Sequence, residues 1–388
     1  MGLLTPVRER AREDRPAPRV TVVHDYLTQR GGAERLVLSL LRAFPQARLV
    51  TSVYEPSLTF PEFAEYDIET SFLNRLPRVR QDPRLALPLL APAWSSLQVN
   101  DADVVLCSSS GWSHGVRTSA YKVVYCHNPA RWLYQSREYA MGASKTARLA
   151  LSALNKPLKY WDQRQAIKAD LYLANSTVVQ QRIRATYGIE APVLHPPASV
   201  DVTGAQEAVP GLAPGFVLTV GRARGYKNTE AVCQAVATRP HLTLAVVGGL
   251  PGGSWPDNLV GLTGISDAQL RWLYANCSAL VAVGREDFGL TVVEVAAFGK
   301  PVVAWRSGGY LDTVIEGVNG VFVDSPTPAA ICAGLDRLLS STPSTQTILD
   351  HAQKFSEGRF VAELRSLVAQ LARPEANSTN PSARSVQV

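Results

Sequence analysis

The sequence has little of what marks membrane-spanning, disulfide-stabilised or metal-binding proteins. It holds 5 cysteines in 388 residues, widely scattered and without a Cys-x-x-Cys pair, a pattern that favours buried free thiols in a reducing compartment. It contains no run of 18 apolar residues, and residues 1–19 lack the apolar core of a signal peptide. We therefore expect a cytoplasmic protein that is soluble or bound peripherally at the inner face of the plasma membrane.

Composition and charge limit the class of partner. The formal net charge is +6, and 46% of the residues are hydrophobic, so the chain is long and apolar enough for two domains with their own cores. A moderately basic protein suits anionic small molecules or an anionic membrane surface. No zinc-finger spacing, aromatic-basic RNA motif or basic helix is visible, so no nucleic-acid partner is expected. The sequence gives no indication of the oligomeric state.

The most informative stretch is 285–294, which carries two glutamates eight positions apart. The apolar run 279–283 predicts a buried parallel strand, and residues 291–298 predict a short helix. Glu286 is therefore expected at the carboxyl end of a strand and Glu294 on the following helix, where open α/β sheets bind their ligands. Taken singly, either glutamate is equally well explained as a partner of the helix dipole.

The turn between these glutamates is itself a candidate ligand site. Phe288, Gly289 and Leu290 stand just before or at the predicted start of the helix. The first N–H groups of a helix have no partner within it and attract anions or hydroxyl oxygens. We therefore predict that these three backbone N–H groups face a ligand.

A second glycine-bearing turn lies near the N-terminus. Residues 19–24 predict a buried strand, 33–44 an amphipathic helix, and Gly31 and Gly32 lie between them. Adjacent glycines let the backbone approach a ligand closely at a helix N-terminus, which suits a phosphate. A simple tight turn is the alternative. Because the spacing is not Gly-x-Gly-x-x-Gly, NAD is not expected.

Fixed cations follow the strand predicted at 216–220. Arg222 and Lys227 precede a helix predicted at 228–237, and two cations beside a helix N-terminus predict a diphosphate site, with arginine binding two oxygens and lysine acting as a point charge. Arg224 is a third cation to which no role is assigned. The alternative is a set of solvated surface cations.

One histidine stands where a ligand is expected. His127 directly follows a strand predicted at 122–126 and precedes Asn128 and Pro129, and the proline prevents regular continuation. The position points into the predicted cleft, so we expect His127 to contact a ligand. A buried, hydrogen-bonded histidine is the alternative.

Residues 72–94 combine arginines and leucines in an unusual way. The arginines of this segment are Arg75, Arg78, Arg80 and Arg84. Mixed basic and apolar residues predict a surface that meets anionic lipid. The alternative is an irregular segment whose leucines pack in the core and whose arginines face water.

These motifs together resemble the family 4 retaining glycosyltransferases, which have the GT-B fold. Glu286 and Glu294 match the family's Glu-x7-Glu signature, and Arg222 and Lys227 match its Gly-Arg-…-Lys segment, although the residues between them differ. Residues 125–132 are similar to the corresponding loop of bacterial O-antigen and exopolysaccharide mannosyltransferases. The resemblance extends over about residues 19–371.

The resemblance implies a role for each motif residue. Arg222 and Lys227 would neutralise the donor diphosphate, Glu294 would hold the ribose, and Glu286 and His127 would hold the donor sugar. The full set that we expect to bind the donor is Gly31, Gly32, Arg222, Lys227, Gly248, Phe288, Gly289, Leu290 and Glu294. The four residues expected to act in catalysis are Glu286, His127, Arg222 and Lys227. No metal ion or other cofactor is expected.

The predicted fold class is α/β, with two doubly wound Rossmann-like domains facing across a cleft and a C-terminal helix crossing back to the first domain. We expect a flexible tail at 1–18, an acceptor-side domain at 19–195, and a linker at 196–214. A nucleotide-sugar domain follows at 215–350, the returning helix at 351–372, and a disordered tail at 373–388.

The expected function is transfer of a hexose, with mannose from GDP-mannose favoured and UDP-hexoses open, to a hydroxyl of a glycan acceptor. The basic and apolar segment 72–94 favours a lipid-linked acceptor. A transferase acting on a soluble natural product, a nucleotide-sugar epimerase of the same fold and a non-catalytic nucleotide-sugar-binding subunit are the alternatives. An epimerase would turn over without acceptor, and the binding subunit would bind donor without turnover.

Overall fold

The computed structural model describes residues 17–135, 145–221, 227–341 and 343–372. Within these residues the chain forms two parallel sheets of 6 strands each, and a small two-stranded sheet. The strands in chain order are β1 (Val20–His24), β2 (Arg48–Thr51), β3 (Ile68–Thr70), β4 (Gln98–Val99), β5 (Val104–Ser109), β6 (Arg117–Thr118), β7 (Tyr121–Cys126), β8 (Leu171–Ala174), β9 (Val217–Val220), β10 (Leu244–Val247), β11 (Leu259–Leu262), β12 (Ala279–Ala282), β13 (Val302–Trp305) and β14 (Gly320–Val323).

Both large sheets are doubly wound. The first has the order β3-β2-β1-β5-β7-β8, and the second has the order β11-β10-β9-β12-β13-β14. In each, the first strand in sequence lies near the middle and the chain builds outward in both directions. The change of direction lies between β1 and β5 in one sheet and between β9 and β12 in the other, which is where ligands bind in such folds. The predicted pair of Rossmann-like units is confirmed.

Helices cover the faces of the sheets. In chain order they are α1 (Gly32–Ala43), α2 (Pro77–Gln81), α3 (Leu87–Ser96), α4 (Arg131–Tyr134), α5 (Lys145–Ala166), α6 (Thr177–Tyr187), α7 (Thr229–Ala237), α8 (Asp267–Asn276), α9 (Leu290–Ala297), α10 (Tyr310–Thr313), α11 (Pro328–Ser340), α12 (Thr345–Ala352) and α13 (Glu357–Leu371). Short 3₁₀ turns cover Pro61–Glu65, Phe72–Arg75, Pro83–Ala86, Ser113–Gly115 and Gln353–Phe355. In the part of the chain that the structure describes, no helix is long and apolar enough to cross a membrane.

The strands form because they are apolar and buried on both faces. All 5 residues of β1 and all 6 residues of β5 are buried, as expected for central parallel strands covered by helices on both sides. Each large sheet is enclosed by two apolar clusters, one on each face. All five cysteines are free thiols, and Cys332 alone among them is not fully buried.

The chain returns to the first sheet at its C-terminus. Phe360, Leu364 and Val368 of α13 are buried in an apolar cluster on the first sheet, and Arg365 donates to the carbonyl of Ala43 at the end of α1 at 2.8 Å. A single helix was expected over 351–372, but the structure divides this segment. Ser356 accepts a hydrogen bond from the N–H of Arg359 and begins a new helix at Glu357, since an N-cap serine interrupts the preceding helical run.

Candidate active site between the two sheets

A cavity of about 500 Å³ lies where the two sheets face each other. Residues from the loop and helix after β1 line one side, and residues from the second sheet line the other. Six of the expected donor-binding residues line it together: Gly31, Gly32, Lys227, Gly248, Leu290 and Glu294. They come from distant parts of the sequence, so the fold alone brings them together.

The loop after β12 reaches the cavity through Leu290, whereas Phe288 and Gly289 do not line it. Gly289 has a φ of +93°, a left-handed conformation that favours glycine, and α9 begins at the next residue. The N–H groups of Phe288, Gly289 and Leu290 donate no hydrogen bond to another described residue. The side chain of Phe288 is buried against His195 and Phe355, so only its backbone is available to a ligand.

A glycine pair after β13 supports this loop, a role that the sequence analysis did not assign. The N–H of Gly309 donates to the carbonyl of Glu286 at 3.0 Å. A Cβ atom on Gly309 would lie 2.2 Å from the Cα of Phe288, and one on Gly308 would lie 2.5 Å from the carbonyl oxygen of Glu286. In the sequence, the only indication of this role was the pair of adjacent glycines just after a strand.

Lys227 and Glu286 form an ion pair. Both side chains are mostly buried, and the neighbouring Asn228 holds the lysine loop against the end of β12 by donating to the carbonyl of Val283 at 2.7 Å. An anionic ligand arriving here would therefore compete with Glu286 for the lysine. Arg222, the other expected diphosphate cation, and Arg224 lie outside the described residues.

Glu294 is buried at the cavity wall, with 8% of its surface exposed. The hydroxyl of Tyr274 donates to one carboxylate oxygen of Glu294 at 2.8 Å. Burial raises the pKa of Glu294, although Arg35 and the Tyr274 hydrogen bond act in the opposite direction. One carboxylate oxygen has a fixed partner, and the other remains to accept from a ligand hydroxyl.

Arg35 lines the same cavity and was missed from the sequence. It lies on α1, where its guanidinium contacts Asp267 at 3.3 Å and sits 4.9 Å from the ring centre of Phe60. Its position directly after the glycine turn and Glu34 was the only signal. Arg35 thus places a cation from the first sheet opposite Glu294 of the second.

His127 is not among the residues that line this cavity. Its Nε2 lies 2.8 Å from the hydroxyl oxygen of Ser108, and its own carbonyl accepts from Asn175 at 3.1 Å. Burial and the nearby His24 lower the pKa of His127 to about 3. The residue is partly exposed and its ring is neutral at ordinary pH, so it can offer a hydrogen bond but not a charge.

Asp287 ties the loop between the two glutamates to the first sheet. Its carboxylate forms ion pairs with Arg131 of α4 and Arg182 of α6, and its carbonyl accepts from the hydroxyl of Ser176 at 2.5 Å. We call Arg131, Arg182 and Asp287 the clasp. A second link joins Asp312 to the N–H of Thr177 at 2.6 Å, so Asp312, which had no assigned role, also bridges the halves.

The described residues contain no group of three or more side chains suited to a metal ion. The sequence does contain one Asp-x-Asp pair, Asp101 and Asp103. These carboxylates pair with Arg48 at 2.8 Å and Arg19 at 3.1 Å, before the start of β5. They lie at the edge of the sheet opposite the carboxyl ends of the strands that face the cavity.

Models of known protein families match both halves of the chain. Residues 30–202 match the model of "Glycosyltransferase Family 4", and residues 206–355 match the model of "Glycosyl transferases group 1". The D-inositol 3-phosphate glycosyltransferase of Mycolicibacterium smegmatis is 30% identical over 344 residues, which covers 76% of this chain and 79% of that protein.

Solved structures share the fold. Sucrose-phosphate synthase from Thermosynechococcus elongatus matches with a TM-score of 0.68 and 17% identity, over 91% of this chain and 99% of that one. Anabaena HepE in complex with UDP-glucose matches with a TM-score of 0.65 and 18% identity, over 90% and 99% of the two chains. At such identities the likeness concerns the fold alone. The family models and the mycobacterial relative show that the chain belongs to glycosyltransferase family 4, with the GT-B fold.

Proposed function

We propose that this glycosyltransferase moves a hexose, with retention of anomeric configuration, from a nucleoside diphosphate sugar to a hydroxyl of a glycan acceptor, without a metal ion. The observation that carries the proposal is the cavity in which Lys227, Glu294 and the N-terminus of α9 lie together. A cation, free backbone N–H groups and a buried carboxylate are what a diphosphate and a ribose require.

Lys227 acts on the diphosphate in this proposal. As the bond between sugar and phosphate breaks, negative charge grows on the leaving oxygen. A fixed cation and helix N–H groups stabilise that charge more in the transition state than in the ground state. In the free protein Lys227 is paired with Glu286, so the diphosphate takes over a cation that is already desolvated. Arg222 is proposed as the second cation on the basis of its sequence position.

The two glutamates have different tasks. Glu294 accepts hydroxyl groups of the ribose, because one of its oxygens is held by Tyr274 and its side chain forms part of the cavity wall. Glu286 binds and stabilises the donor sugar rather than attacking it, and the leaving phosphate oxygen serves as the base for the acceptor hydroxyl. Isolation of a glycosyl adduct on Glu286 would contradict this assignment.

The donor is proposed only as a hexose nucleotide. Residues 125–132 led us to favour GDP-mannose, while Anabaena HepE, whose fold this chain shares, was solved in complex with UDP-glucose. The expectation of mannose therefore stays a prediction, and UDP-hexoses belong in the same test.

A thermal-stability panel tests the donor class. GDP, UDP, ADP, dTDP and their sugars are added with and without Mg²⁺, because a ligand that binds only the folded state raises the melting temperature. We expect one nucleotide family to raise it by about 5 °C at saturating concentration, equally with and without Mg²⁺. Lys227→Ala should abolish the shift, whereas Lys300→Ala, a lysine outside the cavity lining, should retain it. No shift with any nucleotide would contradict the proposal.

Turnover separates transfer from epimerisation. The nucleotide that stabilises the protein is supplied as its sugar, with and without simple glycosyl acceptors, and release of the nucleoside diphosphate is measured. A transferase releases it faster when acceptor is present. Conversion of the donor to an epimer without acceptor would favour the epimerase instead.

We also propose that the acceptor is lipid-linked and that segment 72–94 rests on an anionic membrane. Four of its apolar side chains are exposed, namely Phe72 at 44%, Leu76 at 44%, Leu85 at 63% and Leu89 at 44%. Leu73 and Leu90 are buried instead, so part of the segment holds it to the core. Arg75 and Arg78 are exposed beside the apolar group, a combination that suits anionic lipid.

Vesicle binding tests the lipid proposal. We expect the protein to sediment with vesicles containing phosphatidylglycerol and not with neutral phosphatidylcholine vesicles. Replacing Arg75, Arg78, Arg80 and Arg84 by glutamine should abolish sedimentation. Replacing the exposed Arg337 and Arg359 of α11 and α13 should not. Absence of binding to either vesicle would overturn the lipid proposal and leave the transferase proposal intact.

A further inference from the structure

A series of polar side chains in contact with one another extends from the glycine turn at 31–32 to His127. His24 at the end of β1 lies with its Nε2 3.6 Å from an oxygen of Glu34 and its Nδ1 3.1 Å from the hydroxyl of Ser108. The same hydroxyl lies 2.8 Å from Nε2 of His127. Glu34, His24 and Ser108 are exposed by 1%, 2% and 0%. We call Glu34, His24, Ser108 and His127 the relay.

The fold holds the relay in place. β1 and β5 pair in parallel with His24 directly opposite Ser108, so the two side chains leave the sheet on the same face. Glu34 is in the first turn of α1, and Gln29 donates to it at 3.0 Å. Its other oxygen is buried without a partner and would lie 2.7 Å from a Cβ atom on Gly31. The glycine at 31 therefore leaves room for this carboxylate.

The partners of His24 determine where its protons lie. Glu34 faces its Nε2, and the carbonyl oxygen of Ser108 lies 3.2 Å from its Nδ1. A carbonyl can only accept, so Nδ1 carries a proton, and a carboxylate facing Nε2 favours a second one. Burial lowers the pKa of His24, but hydrogen bonding and charge from Glu34, the charge of Asp25 and the Ser108 carbonyl together outweigh burial and raise it. These contacts favour the imidazolium form of His24, paired with Glu34.

The proton on Nδ1 of His24 then orients the next hydrogen bond. Its Nδ1–H points at the carbonyl and hydroxyl oxygens of Ser108, so the hydroxyl accepts from His24 and its only hydrogen is left for His127. The Nε2 of His127 must then accept. A neutral His127 carries its proton on Nδ1, and this Nδ1 has no hydrogen-bond partner among the described residues.

We propose that Glu34, His24 and Ser108 are positioning residues that hold His127 as its Nδ1–H tautomer, so that it presents a hydrogen-bond donor to a hydroxyl oxygen of the donor sugar. The inference rests on the proposed function in one respect, that His127 faces the sugar. Asn175 and Ser176 connect the His127 loop to Asp287 through successive hydrogen bonds, which places the loop next to the predicted sugar site.

Imidazole ¹⁵N spectroscopy of the full-length protein tests the tautomer without any substrate. The His127 signals are identified by their loss in His127→Gln. We expect the Nδ1 of His127 to be protonated and its Nε2 unprotonated in the wild-type protein. In Ser108→Ala the proton should move wholly or partly to Nε2, because no hydroxyl hydrogen remains to require Nε2 of His127 as an acceptor. A wild-type proton on Nε2, or an unchanged tautomer in Ser108→Ala, would overturn the proposal.

The chain offers a matched control one residue away. Ser109 is equally buried on β5, and its hydroxyl lies 3.3 Å from Nδ1 of His114 rather than from His127. Ser109→Ala should change the signals of His114 and leave those of His127 in place. Should Ser108→Ala fail to fold, Ser108→Cys gives a second route, since a thiol is a weak hydrogen-bond donor and should release the His127 proton toward Nε2.

Kinetics with the donor and acceptor that the turnover assay identifies measure the consequence. Ser108→Ala should lower kcat by about 10-fold or more, the cost of a misdirected buried hydrogen bond, while the affinity for the nucleoside diphosphate, bound mainly by the second sheet, stays within about 2-fold. Ser108→Thr keeps the hydroxyl and should restore both the tautomer and part of kcat. A shifted tautomer with unchanged kcat would overturn the positioning role. Absence of any transferase activity would instead count against the proposed function, since the tautomer is measured without substrate.

Discussion

The side of the cleft built by the second sheet and the side built by the first sheet treat their polar groups differently. On the second, the N–H groups of residues 288–290 have no partner in the described chain, and Lys227 is paired with Glu286, which a ligand can displace. On the first, Glu34, His24 and Ser108 are fully buried and bonded to one another. The polar groups on the side of the second sheet are open to a ligand, and we call this the available side. Those on the side of the first sheet are already bonded to one another, and we call this the committed side.

This difference matches what each side has to do. A diphosphate brings its own charge, so a binding site needs exposed donors and a cation that exchanges partners. A neutral imidazole that directs a single N–H at a sugar needs its protonation and orientation fixed beforehand, and hydrogen bonds to buried polar partners fix both. The clasp joins the two, since Asp287 lies between Glu286 and Phe288 but pairs with arginines of the first half.

Cutting the clasp should disconnect the two sides, and we expect its effect to exceed those of the Gly309, Glu294 and His127 substitutions. In Asp287→Ala we expect kcat/KM to fall about 10- to 100-fold, because small misplacement of catalytic groups has effects of that order. The radius of gyration from small-angle scattering should rise as the halves separate. Asp287→Asn, which keeps the shape but not the charge, should lie between.

Asp324 provides the control for that experiment. It pairs with Arg306 within the second half only and is 89% exposed in its side chain. Asp324→Ala should leave both activity and scattering unchanged. If Asp287→Ala behaved in the same way, the clasp would have no part in holding the cleft.

The loop on the available side depends on Gly309, and a side chain added at this position should have the second-largest effect. A Cβ atom there would meet the backbone of Asp287 and Phe288, which cannot move aside as a side-chain end can. We expect Gly309→Ala to reduce the free energy of unfolding by about 1–3 kcal/mol and to weaken nucleotide binding. In Gly358→Ala, where nothing lies within 4 Å of the new Cβ on α13, stability should rise by about 1 kcal/mol. Equal stability of the two variants in urea denaturation would show that the loop tolerates the shift.

The sequence predicted the available side well because its signals are local. A strand, a glycine turn and a helix start are each visible in a short window, and the capping box that Ser266 forms with Gln269 is likewise a local pattern. The strand before Glu286 and the helix carrying Glu294 lie within one residue of the bounds expected from the sequence. A short stretch of sequence could not identify Gly309 and Tyr274, which belong to other elements. Gly309 contacts this loop, and Tyr274 contacts Glu294.

The committed side was visible only in part. His127 was singled out, but its partners lie 19 and more positions away in sequence and meet it only through the register of β1, β5 and β7. His24 and Ser108 are among many polar residues at predicted strand ends, and no pattern pairs them. The same holds for the clasp, whose members are 156 and 105 positions apart. The roles of the individual donor residues and the domain boundaries stay predictions.

Glu294 offers a sharper test of the available side, because its substitution should lower nucleotide affinity without lowering stability. In Glu294→Gln we expect affinity for the nucleotide to fall about 10-fold, as for loss of a hydrogen bond to a charged group. The melting temperature of the free protein should hold or rise by about 2 °C at neutral pH, because burial raises the pKa of Glu294 and its charged form is costly. Tyr274→Phe removes the hydroxyl partner and should instead lower stability. A Glu294→Gln protein that lost stability would show that the carboxylate supports the fold.

The smallest effect we expect is the contribution of His127, on the committed side, to the pH dependence of the free energy of unfolding. Its folded pKa is lowered to about 3 by burial and His24, whereas an unfolded histidine titrates near 6.5. Below about pH 6.5 the unfolded chain binds a proton that the folded one does not, so stability falls as the pH falls. His24 acts in the other direction: its pKa is raised, so its contribution is complete below 6.5 and is lost only at higher pH. Since His127 is partly exposed, we expect a loss of about 1 kcal/mol between pH 6.5 and 5, measured by urea denaturation against His127→Asn, in which that part of the slope should vanish. Identical slopes for the two proteins would mean that His127 takes up a proton as readily in the folded as in the unfolded chain, and the burial of its ring among the relay residues would then not lower its pKa.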